Sequence, residues 1–436
     1  MQVFSLLAAN PAWLELLIEI IAAAPRLADY LGREPQALDA LLARDFFEPM
    51  PGAARQRTLL EAMLGEAGDY ERALDGTRRF AREQGFRAGV QVLRGLAGAE
   101  EAGAAFSAIA EAALAALMPR VAAEFAERHG PPPGRGMAVV ALGKLGTREM
   151  TAGSDLDLVT IYDAAADAVS EGRQPLAAQA YYPRLTKALV AALTAPTSEG
   201  RLYEVDMRLR PSGRQGPVAV SLDAFRRYHA ETAWVWEHLA LTRARVVASA
   251  GADGADSDGT DNGGQALAED VASALDAVLA ARQGDESVGS AAGEMRAKLA
   301  EAHRAKRGDP WALKHAAGGL MEIEFAAQTG TLYCGLPRAE SAAHQLPRLT
   351  EAGWLTEAET AAMTDALALL TRLQQVERVA LSAETPPERF GPCLSDALAR
   401  ITGMPDFERL TLELTELERA AAAAVDARFQ RLAPTD

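Results

Sequence analysis

Two aspartates inside one short apolar run constrain the fold of this chain more than any other feature. Asp155 and Asp157 alternate with Leu156 and Leu158, directly after a Gly153-Ser154 turn. Successive side chains of a strand point to opposite faces, so the pattern predicts a strand with its leucines in a core and both carboxylates on the other face. Parallel carboxylates repel each other unless a divalent cation lies between them. The pattern therefore indicates a metal site.

A second alternating segment offers a third carboxylate. Apolar and polar residues alternate through 201–210, which predicts a strand with one face on a core and one face in solvent. Asp206 on the polar face is the best candidate for a third metal ligand, and Glu204 on the same face remains an alternative. An ion pair with Arg208 or Arg210 is the purely structural role that Asp206 would otherwise have. Carboxylate oxygens of this kind suit Mg²⁺ or Mn²⁺.

Groups that favour phosphate lie close to these carboxylates in the sequence. The backbone N–H groups of Gly153 and the hydroxyl of Ser154 can hold a phosphate; a Gly-Ser turn alone is common, but before Asp-x-Asp it indicates nucleotidyl transfer. Arg208 and Arg210 share the predicted face of Asp206, and guanidinium groups match phosphate oxygens. The arginines between residues 201 and 245 are Arg201, Arg208, Arg210, Arg214, Arg226, Arg227, Arg243 and Arg245.

The roles of three other polar residues stay open. Lys144 lies in Gly143-Lys-Leu-Gly146, which lacks the spacing of an ATPase phosphate loop, so it is either a phosphate contact or a surface lysine. Glu322 and Glu324 follow Gly318-Gly319 in an apolar run, and on a helix they would not share a face. We expect the segment 313–328 to return to the catalytic cleft, with Glu322 the nearer acid; a simple role at the start of the helix is the alternative.

Composition and the glycine-rich and proline-rich segments predict three regions in the 436 residues. Residues 1–130 are predicted to be a helical linker or regulatory region, 136–250 a nucleotidyltransferase domain, and 265–436 a C-terminal helical bundle. Residues 250–264 are acidic, rich in glycine and poor in apolar side chains, which predicts a flexible linker. The predicted fold class is α+β, with a small mixed β-sheet flanked by helices on both sides.

Charge and cysteine content narrow the class of partner. The net charge of −16 disfavours nucleic acid, which requires a basic face. Cys334 and Cys393 form no zinc spacing or disulfide framework, which favours a reducing cytoplasm. Glu15 and Glu19 interrupt the first apolar run, so we expect neither a signal peptide nor a membrane segment.

Four segments resemble the bifunctional glutamine synthetase adenylyltransferase/adenylyl-removing enzymes. They are Gly143-Lys-Leu-Gly-Thr-Arg-Glu-Met-Thr-Ala-Gly-Ser-Asp-Leu-Asp-Leu158, Leu202-Tyr-Glu-Val-Asp-Met-Arg-Leu-Arg-Pro-Ser-Gly213, Ala233-Trp-Val-Trp-Glu-His-Leu-Ala-Leu-Thr-Arg-Ala-Arg-Val246 and Leu313-Lys-His-Ala-Ala-Gly-Gly-Leu-Met-Glu-Ile-Glu-Phe325. The family carries two related halves in tandem, and this chain resembles the C-terminal, adenylylating one. Thr147, where a second glycine is common, and Glu322, where the family has Asp, depart from its pattern.

The resemblance implies transfer of AMP from ATP to a tyrosine hydroxyl of glutamine synthetase, in the control of nitrogen assimilation. It implies Asp155, Asp157 and Asp206 as metal ligands and catalytic groups, ATP as substrate, and a PII-type signalling protein as a possible regulator. One alternative is the phosphorolytic, AMP-removing activity of the same family. A second is a non-catalytic module that docks glutamine synthetase. A small-molecule nucleotidyltransferase would have similar carboxylates but would not need such long helical flanks.

Overall fold

A five-stranded sheet in the middle of the chain carries the Asp-Leu-Asp motif. The computed structural model describes residues 11–34, 36–41, 43, 45–65, 69–251, 262–382 and 385–432. The strands are β1 (Gly136–Ala141), β2 (Leu156–Asp163), β3 (Val205–Asp206), β4 (Ala219–Ser221) and β5 (Arg245–Ala250). β1 lies antiparallel between β2 and β5, whereas β3 and β4 both run parallel to β2. The predicted small mixed sheet is confirmed.

The register of β2 and β3 brings the two predicted carboxylate segments together. Asp157 is the direct neighbour of Asp206 across the parallel pair. The strand predicted over 201–210 is wrong in extent, because only Val205–Asp206 pairs. The chain turns after Asp206, whose carboxylate accepts a 2.7 Å hydrogen bond from the backbone N–H of Arg208.

Helices precede and follow the sheet. Before it lie α1 (Pro11–Ala23), α2 (Pro25–Arg33), α3 (Gln36–Leu41), α4 (Ala53–Leu64), α5 (Tyr70–Leu93) and α6 (Ala99–His129). Within the sheet region lie α7 (Gly143–Gly146), α8 (Ala178–Thr194), α9 (Leu222–Glu231) and α10 (Val235–Leu241). After it lie α11 (Asn262–Ala280), α12 (Glu286–Ala302), α13 (Leu320–Cys334), α14 (Ala342–Glu351), α15 (Glu357–Ala380), α16 (Pro392–Thr402) and α17 (Phe407–Gln430).

Helix α6 is the central helix of the N-terminal region. Its alanine-rich sequence favours a long helix, and Gly130 ends it with a φ of +79°, a conformation that favours glycine. By length and composition α6 could cross a membrane, yet 78% of its most apolar window is buried inside the protein. This is the packing of a core helix.

One hydrophobic core joins all three parts of the chain. Leu114 of α6, Val139 of β1 and Leu370 of α15 are each 0% exposed and belong to it. Helix α6 packs against β5, and α15 packs against both α5 and α6. Helix α11 packs against β1 and β5, so helices from before and after the sheet in the sequence both contact it. The domain boundaries proposed from the sequence remain a prediction, and the central part of the predicted linker, 252–261, lies outside the described residues.

Candidate active site

The three predicted aspartates form one cluster at the β2–β3 edge of the sheet. Asp155, Asp157 and Asp206 each offer one carboxylate oxygen, and these atoms all lie within 4.8 Å of one another. Asp155 is exposed, and the other two are half-buried. Three hard oxygen donors at this spacing, open to solvent on one side, fit Mg²⁺ or Mn²⁺ with positions left for a substrate oxygen.

The three carboxylates have different electrostatic surroundings. Burial, followed by the charges of Asp155 and Asp206, raises the pKa of Asp157 from 3.8 to about 6. Burial alone would also raise the pKa of Asp206, but hydrogen bonds from the Arg208 side chain, at 2.6 Å, and its backbone lower that pKa overall. Without a cation, charge repulsion in the cluster is therefore concentrated on Asp157.

Close packing explains the glycines of the Gly-Lys-Leu-Gly motif. Gly143 has a φ of +53°, and a Cβ there would lie 2.2 Å from Oδ2 of Asp157. A Cβ on Gly146 would lie 1.8 Å from the backbone oxygen of Arg243. Both positions exclude a side chain, so the motif places α7 directly beside the aspartate cluster.

Lys144 is half-buried and hydrogen-bonded within the protein, so it is not the freely exposed surface lysine that was one of the two alternatives. Its ammonium donates a hydrogen bond to Oε1 of Gln374 on α15. Burial lowers the pKa of Lys144 to about 8, although the negative charge of Glu324 acts to raise it. The lysine links the site to the C-terminal helices.

A half-buried ion-pair network lies next to Asp157. Arg243 donates to Glu324 at 2.7 Å and lies 3.4 Å from Glu149. Burial opposes the charge of Arg243, but Glu324, then Glu149, raise its pKa overall. Arg243 and Lys314 in turn favour the ionised form of Asp157. In the sequence Arg243 is one of the eight arginines between residues 201 and 245, and Glu149 belongs to no pattern that predicts a role.

The expectation that Glu322 is the nearer acid of segment 313–328 is wrong. Oε1 of Glu322 accepts hydrogen bonds from Arg307 at 2.8 Å and Arg296 at 3.1 Å. Its Oε2 accepts a 2.9 Å hydrogen bond from the backbone of Gly318. Residues two apart on a helix face different directions. Glu324 therefore meets the site network through Arg243, and the segment reaches the site as expected.

Of the other predicted site residues, Glu204 and Arg210 do not contact Asp206, whereas Arg208 does. Glu204 is exposed, pairs with Arg201 at 2.8 Å and lies outside the aspartate cluster. Arg210 donates to the backbone oxygens of Met207 and Gly216, at 2.7 and 3.2 Å, rather than to Asp206. Of the predicted arginines, Arg208 is the one that hydrogen-bonds to Asp206.

Hydrogen bonds within the segment hold the Gly-Ser turn in place. The Ser154 hydroxyl accepts a 3.0 Å hydrogen bond from the backbone of Thr151, and the two hydroxyl oxygens are 2.9 Å apart. Gly153 has a φ of +75°. The turn leads directly into Asp155. Its backbone therefore lies beside the aspartate cluster.

The side chains of two tryptophans at the start of α10 are exposed rather than packed in the core. Trp234 is 71% exposed and Trp236 is 36% exposed. The Trp234 backbone N–H instead caps α10 by donating to Glu237 at 2.9 Å.

Comparisons with known proteins identify the family of this chain. The family model described as glutamate-ammonia ligase adenylyltransferase matches residues 14–259, which include all three aspartates. The chain belongs to this family. A second model, GlnD PII-uridylyltransferase, matches residues 293–390.

Relatives of the glutamate-ammonia ligase adenylyltransferase family match nearly the whole chain. The bifunctional glutamine synthetase adenylyltransferase/adenylyl-removing enzyme of Brucella suis is 40% identical over 98% of this chain and 42% of its own length. The Mesorhizobium japonicum enzyme of that name is 41% identical over 95% of this chain and 41% of its own length. The Xanthobacter autotrophicus enzyme is 40% identical over 100% of this chain. The chain thus spans about two fifths of the length of these relatives, and the predicted family is confirmed.

Proposed function

We propose that this chain transfers AMP from ATP to a tyrosine hydroxyl of glutamine synthetase and releases pyrophosphate. The observation that carries the proposal is the cluster of Asp155, Asp157 and Asp206 within 4.8 Å beside a glycine-rich helix start. The names of the family and of its relatives support adenylylation of this substrate. The sequence Tyr203-Glu-Val-Asp-Met-Arg208 resembles the adenylylating half of the family, which supports transfer of AMP rather than its removal.

The residues have separable tasks in such a transfer. Mg²⁺ held by the three aspartates would neutralise charge on the triphosphate. The acceptor oxygen attacks the α-phosphorus, the bond to the β-phosphate oxygen breaks, and Asp206 accepts the phenolic proton. Arg208 holds Asp206 in place, and the turn at Gly153 and Ser154 binds the outgoing pyrophosphate. Positioning and charge stabilisation supply most of the rate.

The cysteines and the second family match support proposals about the cellular compartment and the regulator of this reaction. We place it in a reducing cytoplasm, because Cys334 and Cys393 are both free thiols. A PII-type signalling protein is the proposed regulator, supported by the match of residues 293–390 to a PII-uridylyltransferase model.

Labelled ATP, Mg²⁺ and glutamine synthetase test the proposal directly. The chain is expected to label glutamine synthetase, and Asp155→Asn or Asp206→Asn is expected to abolish the labelling. Glu204→Gln is the matched control, because this carboxylate lies two residues from Asp206 but outside the cluster; it should retain activity. Release of AMP by phosphate that requires Asp155, without any transfer, would assign the opposite direction.

A further inference from the structure

A cavity of about 380 Å³ opens beside the Gly-Ser turn. One side is formed by residues of α2, α5 and α6, and the other by residues 151–154 and 201–204. It adjoins the aspartate cluster, because Ser154 lines it and directly precedes Asp155. The N-terminal helices therefore share a cavity with the catalytic turn.

Four arginines and one glutamate line this cavity, and three of the arginines are already compensated. Arg78 is fully buried and donates to four backbone oxygens. Arg82 forms an ion pair with Glu199. Arg201 forms one with Glu204 at 2.8 Å. Arg78 therefore has four of its five donors occupied, and the charges of Arg82 and Arg201 are each balanced by a glutamate.

Arg26 is the fourth arginine, and its charge has no carboxylate partner within 4.0 Å in the part of the chain that the structure describes. Its Nη1 donates to the backbone oxygens of Ala152, at 3.2 Å, and Arg378, at 3.0 Å. Burial, followed by the charge of Arg378, lowers the pKa of Arg26, as expected for a cation without an opposite charge nearby. A guanidinium carries five donors, so donors remain for a ligand.

The position of Arg26 points to the kind of anion. Its guanidinium lies against the turn, since a Cβ on Gly153 would come within 2.8 Å of Nη1. This turn leads into Asp155, where the proposed reaction holds the α-phosphate. The β- and γ-phosphates must lie within a few ångströms of that point.

We propose that Arg26 binds the β,γ-phosphate end of ATP, and that the cavity behind it receives pyrophosphate before release. The inference rests on the proposed function for the identity of the ligand. It also means that the N-terminal helical region supplies a binding group to the nucleotide site.

Calorimetric titration of the full chain with inorganic pyrophosphate and Mg²⁺, without acceptor protein, tests the inference. Arg26→Met is expected to weaken pyrophosphate binding about tenfold or more, because a charge-assisted hydrogen bond is lost. Arg26→Lys should retain part of the affinity, since the charge remains. Arg79→Met is the matched control, because Arg79 is a surface arginine of α5 outside the cavity; it should change the affinity less than about twofold.

Steady-state kinetics separate ligand binding from a structural role. Arg26→Met should raise KM for ATP and weaken product inhibition by pyrophosphate, with KM for glutamine synthetase unchanged. If this variant fails to fold, Arg26→Gln replaces it, because an amide still donates to the carbonyl of Ala152 without carrying charge.

Two results would overturn the inference: no binding of millimolar pyrophosphate by the wild-type chain, or binding within twofold of wild type by a folded, uncharged variant. Pyrophosphate binding that depends on Arg26 in a chain that transfers no AMP would support the anion site while refuting the proposed function.

Discussion

Replacing Asp157 by Asn is expected to stabilise the metal-free protein at pH 8 while abolishing AMP transfer. In the folded chain the Asp157 carboxylate is half-buried and lies beside two other carboxylates, so its pKa rises from 3.8 to about 6. At about 1.4 kcal/mol for each pKa unit, that difference corresponds to about 3 kcal/mol of folding free energy. An uncharged side chain of the same shape removes this cost.

The pH dependence has a defined sign. Because the folded state binds the proton more tightly than the unfolded state, stability falls as pH rises from 3.8 to 6, and the full cost is present above 6. The advantage of the Asn variant is therefore greatest at pH 8 and shrinks to about 0.5 kcal/mol at pH 4. With about 2.1 cal/mol/K of unfolding entropy per residue, 3 kcal/mol shifts Tm by about 3 °C in a chain of 436 residues.

Thermal unfolding in EDTA at pH 8 and pH 4 measures this effect. Asp223→Asn is the control, because the side chain of Asp223 is 90% exposed and lies outside the cluster; its Tm should match wild type at both pH values. Added Mg²⁺ should raise Tm of the wild type and leave that of Asp157→Asn unchanged. A lower Tm for Asp157→Asn at pH 8, or a gain that persists at pH 4, would refute the account of Asp157 as a repelled, partly desolvated carboxylate.

Two further predictions concern the groups around the cluster. Glu324→Gln should lower the free energy of unfolding by about 3 kcal/mol, because it leaves a buried guanidinium without its closest partner; Glu301→Gln, whose side chain is 75% exposed, should change it by less than about 0.5 kcal/mol in the same urea titration. Gly143→Ala should reduce kcat/KM for AMP transfer at least about tenfold, since its Cβ would lie 2.2 Å from a carboxylate oxygen of Asp157. Gly65→Ala shares the left-handed backbone, with a φ of +58° and open space around it, so it should leave transfer unchanged; equal loss in both glycine variants would indicate backbone strain alone.

Local sequence patterns were sufficient to predict most secondary-structure elements of this protein and to place Asp155 and Asp157 on one face. Strand alternation acts over two residues, so Asp155 and Asp157 could be assigned to one face from their immediate neighbours. Helical periodicity acts over a single turn, and it was sufficient to predict helices on both sides of the sheet. The alternation through 201–210 was misleading in extent, because the hydrogen bond from the Arg208 backbone to Asp206 turns the chain after two paired residues.

Contacts between distant segments were decided only by the tertiary structure. The rotation of α13 about its axis, set by packing against α14, α15 and α17, directs Glu324 toward Arg243 and leaves Glu322 among other arginines. Lys144 is partly covered because α15 contacts it through Gln374, 230 residues along the chain. Arg26 reaches Ala152 across 126 residues. Periodicity within one segment fixes which residues share a face, but only long-range packing fixes what that face meets.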